Sequence, residues 1–145
     1  MSPCFAQSSG NRTLSQTIYL PIYSHIWHGD MDSRGQPEKT LVSVLVSIRN
    51  TDPEKTIRVT SAQYFDTAGK RIKEYVSSPV GIGPMGTYEI FVPRADDTGG
   101  SGANFVIVWR SDSRASTPIV HGVHANLPTG RPIVFLTEGH VIVPD

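Results

Sequence analysis

Residues 96–110 decide the fold class, and they read Asp-Asp-Thr-Gly-Gly-Ser-Gly-Ala-Asn-Phe-Val-Ile-Val-Trp-Arg. A glycine-rich loop leads here into the most apolar segment of the chain. Successive side chains of a strand point to opposite faces, and both faces of this segment are apolar. One face carries Phe105, Ile107 and Trp109, and the other carries Val106 and Val108. We therefore expect a strand in the middle of a sheet, covered on both sides.

The rest of the chain has the spacing of an all-β protein. No window shows a sustained helical period, and turn-forming clusters separate short alternating segments. We expect strands at residues 17–27, 41–49, 57–65, 71–76, 87–92, 104–110, 117–125, 133–137 and 140–143. We expect loops or turns at residues 29–37, 77–86 and 111–116. The pattern predicts an all-β, immunoglobulin-like antiparallel β-sandwich of about seven to nine strands.

Composition argues against two kinds of partner. The chain of 145 residues carries 13 Lys+Arg and 13 Asp+Glu, which is not the positive excess of a nucleic-acid-binding protein. No apolar run approaches the ~18 residues that a membrane-spanning helix needs. A chain of this length is expected to form one domain, which we place at residues 17–145.

The N-terminal segment, residues 1–16, is small and polar. We expect a disordered tail or the remnant of a signal peptide, because the segment lacks the charged and long apolar parts of a complete one. Cys4 is the only cysteine, so it forms no intrachain disulfide, and it is a candidate for a lipid anchor. These features leave three alternatives open: a truncated leader, a lipid anchor at Cys4, or the N-terminus of a cytoplasmic protein.

Three short segments resemble the core of immunoglobulin-like bacterial modules. They are residues 50–53 (Asn-Thr-Asp-Pro), residues 66–70 (Asp-Thr-Ala-Gly-Lys) and residues 83–86 (Gly-Pro-Met-Gly). In such modules an asparagine turn ends one strand, a hairpin follows, and a Gly-Pro turn precedes the next strand. The resemblance implies the same kind of β core here.

Three further segments resemble a bacterial family known as domain of unknown function 3124. They are residues 23–29 (Tyr-Ser-His-Ile-Trp-His-Gly), residues 48–52 (Ile-Arg-Asn-Thr-Asp) and residues 99–105 (Gly-Gly-Ser-Gly-Ala-Asn-Phe). The resemblance covers about residues 17–143. It implies an exported protein with a leader or a lipid anchor, and therefore a periplasmic or cell-surface location, and it implies no particular activity.

Two pairs of histidines have the same spacing, His25 with His28 and His121 with His124. Residues three apart on a regular strand point to opposite faces, so neither pair chelates a metal without a bulge or a turn. One histidine of each pair, together with His140, could still form a three-nitrogen site for copper or zinc. The alternative is that all of them are ordinary strand and loop residues.

The glycine loop and the end of the first predicted strand are the candidate binding segments. Backbone N–H groups of such a loop can form an anion-binding nest, although a plain connection between strands has the same composition. Tyr23 and Trp27 flank His25, and an exposed cluster of this kind would suit a protein or glycan partner. The candidate binding residues are Tyr23, Trp27, Asp97, Gly99, Gly100, Ser101 and Asn104.

The sequence does not favour an enzyme. It has no Gly-x-Ser-x-Gly nucleophile elbow, and its carboxylates form no evident pair for glycoside hydrolysis. We therefore predict an exported, non-enzymatic binding or assembly module whose partner is a protein or a glycan. The alternative is a periplasmic metal-binding protein that holds copper or zinc through its histidines, and no other cofactor is expected.

Overall fold

The computed structural model describes residues 12–144, which form twelve β-strands and contain no helix. The strands are β1 (Arg12–Ile22), β2 (His25–Met31), β3 (Pro37–Leu41), β4 (Ser43–Arg49), β5 (Ile57–Phe65), β6 (Arg71–Glu74), β7 (Val80–Ile82), β8 (Thr87–Val92), β9 (Ala103–Ser116), β10 (Ile119–Asn126), β11 (Ile133–Glu138) and β12 (His140–Val143). The first strand begins at Arg12, earlier than the predicted start at residue 17. The hypotheses on Cys4 and on most of the tail concern residues 1–11, outside the described residues.

Two antiparallel sheets form the body of the molecule. The larger, six-stranded sheet has the order β12-β1-β9-β5-β6, with β7 also paired to β5. The smaller, four-stranded sheet has the order β11-β10-β4-β8, and β2 and β3 form a separate hairpin. The predicted all-β antiparallel sandwich is confirmed, while the immunoglobulin-like connectivity stays a prediction.

The core lies between the two sheets. Trp109 and Phe105 of β9 are fully buried, and they belong to one apolar cluster with Leu20 of β1 and Val46 of β4. The strand β9 lies between β1 and β5, as its apolar sequence predicts. Its second face is half-buried rather than covered, since no layer packs over the outside of this sheet among residues 12–144.

The predicted turn at residues 111–116 is instead the second half of β9. This half continues the ladder with β1, where Arg12 and Thr13 oppose Ser116 and Ala115. Ala115 is fully buried although its neighbours in sequence are polar. The polar residues of this segment lie on a solvent-exposed face of the strand. Turns have a similar polar composition, so composition alone does not distinguish the two.

The strand count exceeds the expected seven to nine for two reasons. A bend at Ser24 divides the predicted strand of residues 17–27 into β1 and β2, and β2 continues to Met31, inside the predicted loop of residues 29–37. The strand β3 forms almost wholly before the predicted strand of residues 41–49 and is separated from β4 at Val42. The short strand β7 also lies inside the predicted loop of residues 77–86, where it adds to β5. In the part of the chain that the structure describes, no helix is long and apolar enough to cross a membrane.

Candidate functional site

The glycine loop is held in place by its own backbone groups. The N–H of Gly100 donates to Ser24 Oγ at 2.8 Å, and the N–H of Gly102 donates to Thr67 Oγ1 at 2.9 Å. The carbonyl of Gly99 accepts the Thr67 N–H at 2.8 Å, and that of Gly100 accepts the Ser24 N–H at 2.9 Å. These bonds connect the loop to the start of the β2–β3 hairpin and to the β5–β6 turn, and they occupy two of the backbone N–H groups of the loop.

At two positions of this loop there is no room for a side chain. A Cβ at Gly99 would overlap the hydroxyl of Tyr64 and the side chain of Ala103. Gly100 has a φ of 88°, which disfavours any residue with a Cβ, and a side chain there would also meet Thr67. The loop composition is thus explained by packing.

The other predicted residues of this loop have separate surroundings. Asp97 is exposed, with Oδ2 at 4.0 Å from Lys39 Nζ, and its carbonyl accepts the Ser24 hydroxyl at 3.3 Å. Ser101 is half-buried in the turn, and Asn104 is half-buried at the start of β9, opposite Pro21 of β1. Of this loop's candidate residues, all of which the structure describes, Asp97 is the one that contacts a cationic side chain.

Tyr23 and Trp27 do not form one aromatic cluster. The Tyr23 ring lies edge-on to His124 at 5.7 Å and to Phe135 at 5.5 Å between ring centres. Trp27 is 45% exposed on the hairpin, where its ring contacts His25 at 4.9 Å. Tyr23 is therefore part of the packing between strands, whereas Trp27 is a surface residue.

The four candidate metal-binding histidines have separate partners. His124 Nε2 accepts the Tyr23 N–H at 3.0 Å, and His121 Nε2 accepts from Arg49 Nε at 3.2 Å. His28 Nε2 lies 2.8 Å from Thr40 Oγ1, while His25 Nδ1 lies 3.3 Å from Ser24 Oγ. Among residues 12–144 no group of three or more His, Cys, Asp or Glu side chains could hold a metal ion. The histidine site for copper or zinc has no support in this geometry.

Burial lowers the pKa of two of these histidines. His124 is fully buried, and this burial lowers its pKa to about 4, although hydrogen bonds involving the backbone of Gly122 and Phe135 oppose the shift. Burial also lowers the pKa of His25, with the charge of Lys39 acting in the same direction and that of Asp97 against it. Both side chains therefore favour the neutral form in the folded protein.

A basic pocket lies at the end of the sandwich, beside the hairpin. Its volume is about 550 Å³, and the lining includes His28, Lys39, Arg94 and Arg131. No Asp or Glu side chain lines it, and Lys39 has a loose contact with Asp97, with 4.0 Å between Nζ and Oδ2. We use the name basic pocket for this site.

Three parts of the fold bring the basic pocket together. The hairpin extends from the beginning of β4 and supplies His28 and Lys39. Arg94 follows β8 on one side of β4, and Arg131 precedes β11 beyond β10 on the other side. The Asn126 side chain donates to the Leu41 carbonyl at 2.7 Å and fastens the end of β10 to the hairpin.

A second, more apolar pocket adjoins the first. Its volume is about 360 Å³, and it shares Arg94 and Asn126 with the basic pocket. Phe91 and Leu127, both exposed, form much of its lining. The two pockets together join a cationic surface to an apolar one.

The outer face of the four-stranded sheet continues from this second pocket. Phe91, Leu45, Val123 and Leu136 are directly paired across β8, β4, β10 and β11. Phe91 is 57% exposed and Leu136 is 53% exposed at the two ends of this line. We call these four residues the apolar row. The face is uncovered by any part of the chain that the structure describes.

Of the residues named in the basic pocket and the apolar row, only His28 was a sequence-based candidate, and it was a candidate for binding a metal. Lys39, Arg94 and Arg131 lie in three separate segments, and nothing local to any of them indicates a shared site. The sequence of β11 does indicate the apolar outer face. Its residues Ile-Val-Phe-Leu are apolar on both faces of the strand, and one face of a sandwich strand points outward.

The described chain is thus an all-β sandwich domain with a basic pocket at one end and an apolar outer face. It belongs to the family described as Protein of unknown function (DUF3124), whose model matches residues 15–142. This confirms the resemblance seen in the sequence. No curated protein matches the chain. A solved structure, "Crystal Structure of Thermotoga maritima 1070", is similar with a TM-score of 0.48 and 11% identity, covering 90% of this chain and 97% of that chain.

Proposed function

We propose that this protein is a non-enzymatic binding module, and that the basic pocket receives an anionic group of its partner. The observation that carries the proposal is the convergence of Lys39, Arg94 and Arg131 without a lining carboxylate. An arriving carboxylate or phosphate would accept charge-assisted hydrogen bonds from these cationic side chains.

The shape of the site supports binding to a larger partner. The basic pocket is open to solvent, and it merges through Arg94 with the neighbouring apolar pocket. A small ligand is usually enclosed over most of its surface, which an open site of this kind does not provide. A group that projects from a macromolecule fits such a site better.

The proposed setting is the periplasm or the cell surface. Its support is the resemblance to a family met as exported proteins. Fractionation of the native producing cells, with detection of the full-length gene product by antibody, tests the setting. A product found wholly in the cytoplasm would contradict it.

The binding proposal is tested with citrate and inorganic phosphate as anionic probes, by calorimetry at constant ionic strength. The variant Arg94→Gln/Arg131→Gln removes two charges from the pocket. The control Lys70→Gln/Arg71→Gln removes two charges from the exposed β5–β6 hairpin. We expect at least one probe to bind the unmodified protein at the pocket, and the pocket variant to bind it about tenfold or more weakly, since hydrogen bonds to charged groups contribute about 1.5–3 kcal/mol each.

The control variant distinguishes binding at the basic pocket from a general effect of net charge on anion binding. We expect Lys70→Gln/Arg71→Gln to bind the probe like the unmodified protein. Equal weakening in both variants would show that net charge alone governs binding. Absence of binding for both probes would contradict a pocket made for anions.

A further inference from the structure

The basic pocket and the more apolar pocket beside it, which we call the apolar pocket, share a wall. Arg94 and Asn126 line both of them. Lys39 and Arg131 belong to the basic side alone, while the apolar side is lined by residues such as Phe91, whose side chain is exposed. A ligand that fills both pockets therefore carries an anionic group and an apolar group close together.

Asn126 adds an unused hydrogen-bond acceptor to this shared wall. Its Nδ2 donates to the Leu41 carbonyl at 2.7 Å, which holds the side-chain amide in one orientation. Its Oδ1 is open to solvent and accepts no hydrogen bond within residues 12–144. A ligand N–H group at the wall would find a partner there, which matters because an N–H group buried without one costs free energy.

The last residue of a polypeptide offers all three groups around one Cα atom. Its carboxylate would lie in the basic pocket and accept charge-assisted hydrogen bonds from the cationic side chains. An apolar side chain on the same Cα would pack against Phe91 and Leu127, and the N–H group would donate to Asn126 Oδ1. Capture of a terminal carboxylate is a recurring mode of peptide recognition.

The charges around the basic pocket favour a single carboxylate over an anionic membrane. The β2–β3 hairpin, which supplies Lys39 to the pocket, also carries Asp30 and Asp32 at exposed positions. Asp97 is exposed as well and lies 4.0 Å from Lys39, measured from Oδ2 to Nζ. A broad anionic surface would approach these carboxylates together with the pocket, and their repulsion would offset its attraction to the cationic side chains. A single terminal carboxylate presents no comparable surface.

We propose that the two pockets together bind the free C-terminus of a partner protein whose last residue is apolar. This inference rests on the proposed function, because it names the anionic group that the basic pocket receives. The basic pocket selects a chain end, and the apolar pocket selects the last side chain.

Three acetylated hexapeptides of Gly and Ser that differ only at the last residue test this chemistry by calorimetry at constant ionic strength. The first ends in Leu with a free carboxylate, the second in Leu with a carboxamide, and the third in Ser with a free carboxylate. We expect the first to bind the full chain. The other two should bind about tenfold or more weakly, because one loses charge-assisted hydrogen bonds and the other loses the burial of an apolar side chain.

The preference for the carboxylate over the carboxamide is assigned with the charge variants. In Arg94→Gln/Arg131→Gln this preference should be lost, whereas Lys70→Gln/Arg71→Gln should retain it. Each readout is a ratio of two affinities for the same variant, and a partial loss of folding would weaken both peptides alike. A preference that persists in Arg94→Gln/Arg131→Gln would overturn the inference.

The preference for Leu over Ser is assigned with two substitutions of exposed apolar residues near opposite ends of β10. Leu127 follows the strand and lines the apolar pocket, whereas Ile119 begins the strand and does not line it. We expect Leu127→Ser to lose most of this preference and Ile119→Ser to retain it. An equal preference in the two variants would contradict a pocket for the last side chain.

Citrate separates this inference from the proposed function. Citrate bound at the basic pocket, with equal affinities for the carboxylate and carboxamide peptides, would reject the chain end and retain the pocket for anions. A peptide preference lost in Arg94→Gln/Arg131→Gln, with no citrate bound, would retain the chain end and reject a pocket for free anions. Vesicles of phosphatidylcholine and phosphatidylglycerol that bind through these arginines, when the peptides show no preference, would reject the chain end in favour of a membrane.

Discussion

Arg12 donates from Nη2 to Oδ2 of Asp52 at 2.6 Å, which ties the start of β1 to the turn between β4 and β5. Asp52 is fully buried, and its oxygens also accept the N–H groups of Glu54, Lys55 and Ser116. Burial alone would raise the pKa of Asp52, but these hydrogen bonds hold the pKa well below its usual range. This carboxylate therefore joins three segments that are distant in sequence.

We expect Asp52→Asn to lower the free energy of unfolding at pH 7 by about 3 kcal/mol, because a buried charge pair and several bonds to an ionised acceptor are lost. Arg12→Gln should cost less, since the Arg12 side chain is partly exposed and water can replace the contact. Urea denaturation of the two variants measures both values. Equal costs would show that the ion pair, rather than the backbone hydrogen bonds, dominates.

The Asp52 contribution should depend on acidity. A carboxyl group whose pKa is lowered in the folded state stabilises it above the ordinary pKa of about 3.9, and that stability is lost as the pH falls further. The difference between Asp52→Asn and the unmodified protein should therefore shrink below about pH 4. An unchanged difference at pH 3 would contradict the assigned hydrogen bonds.

His124 should produce a second, less acidic transition. Its folded pKa of about 4 lies below the ordinary histidine value of 6.5, so the unfolded chain binds the proton first as the pH falls. Stability should fall between pH 6.5 and 4, by up to about 3 kcal/mol. Protonation of Nε2 also removes the acceptor of the Tyr23 N–H. Thermal midpoints measured through this interval test the slope.

A matched pair of variants assigns that slope. In His124→Gln the slope between pH 6.5 and 4 should become shallower, although part of it should remain because the pKa of His25 is lowered as well. His121→Gln is the matched control, because it changes the same residue type on the opposite face of β10 and leaves the contact between His124 and the Tyr23 N–H in place. Identical slopes in all three proteins would assign the transition to other groups.

The parts of the fold that sequence predicts well are those with local signals. The strands β5, β8 and β12 begin and end where the alternation of residues 57–65, 87–92 and 140–143 places them. Trp109 and Phe105 are core residues for the same reason. The second half of β9 was wrongly predicted as a turn, because its pairing with β1 comes from tertiary contacts.

The candidate site was harder to predict, because it is made by distant segments. The glycine-rich composition of the loop at residues 99–102 led to its prediction as a binding segment. Contacts with Ser24, Tyr64 and Thr67 account for that composition. The basic pocket combines Arg94 with Arg131, and only the strand order β11-β10-β4-β8 brings them to one end of the sheet. Because the net charge of the chain is zero, its composition does not indicate this local group of cationic side chains.

Gly99→Ala should destabilise the protein by about 1–3 kcal/mol, because the new methyl group overlaps the Tyr64 hydroxyl and Ala103. Gly81→Ala is the matched control, since nothing lies within 4 Å of a Cβ there. The control should change stability far less. Denaturant midpoints compare the two variants, and adding Tyr64→Phe to Gly99→Ala should recover part of the loss. A control as damaging as Gly99→Ala would indicate a general loss of flexibility instead of an overlap.

Trp27 should report on the basic pocket through its fluorescence. It is 45% exposed and lies next to Lys39, whose Nζ is 5.9 Å from the ring centre, whereas Trp109 is fully buried. We expect acrylamide to quench only the Trp27 part of the emission, and Trp27→Phe to leave a blue-shifted and poorly quenched spectrum. Citrate in the pocket should draw Lys39 toward the anion and alter the Trp27 emission, with no change in Trp27→Phe. A citrate response that persists in Trp27→Phe would arise from Trp109 and would place the effect in the core.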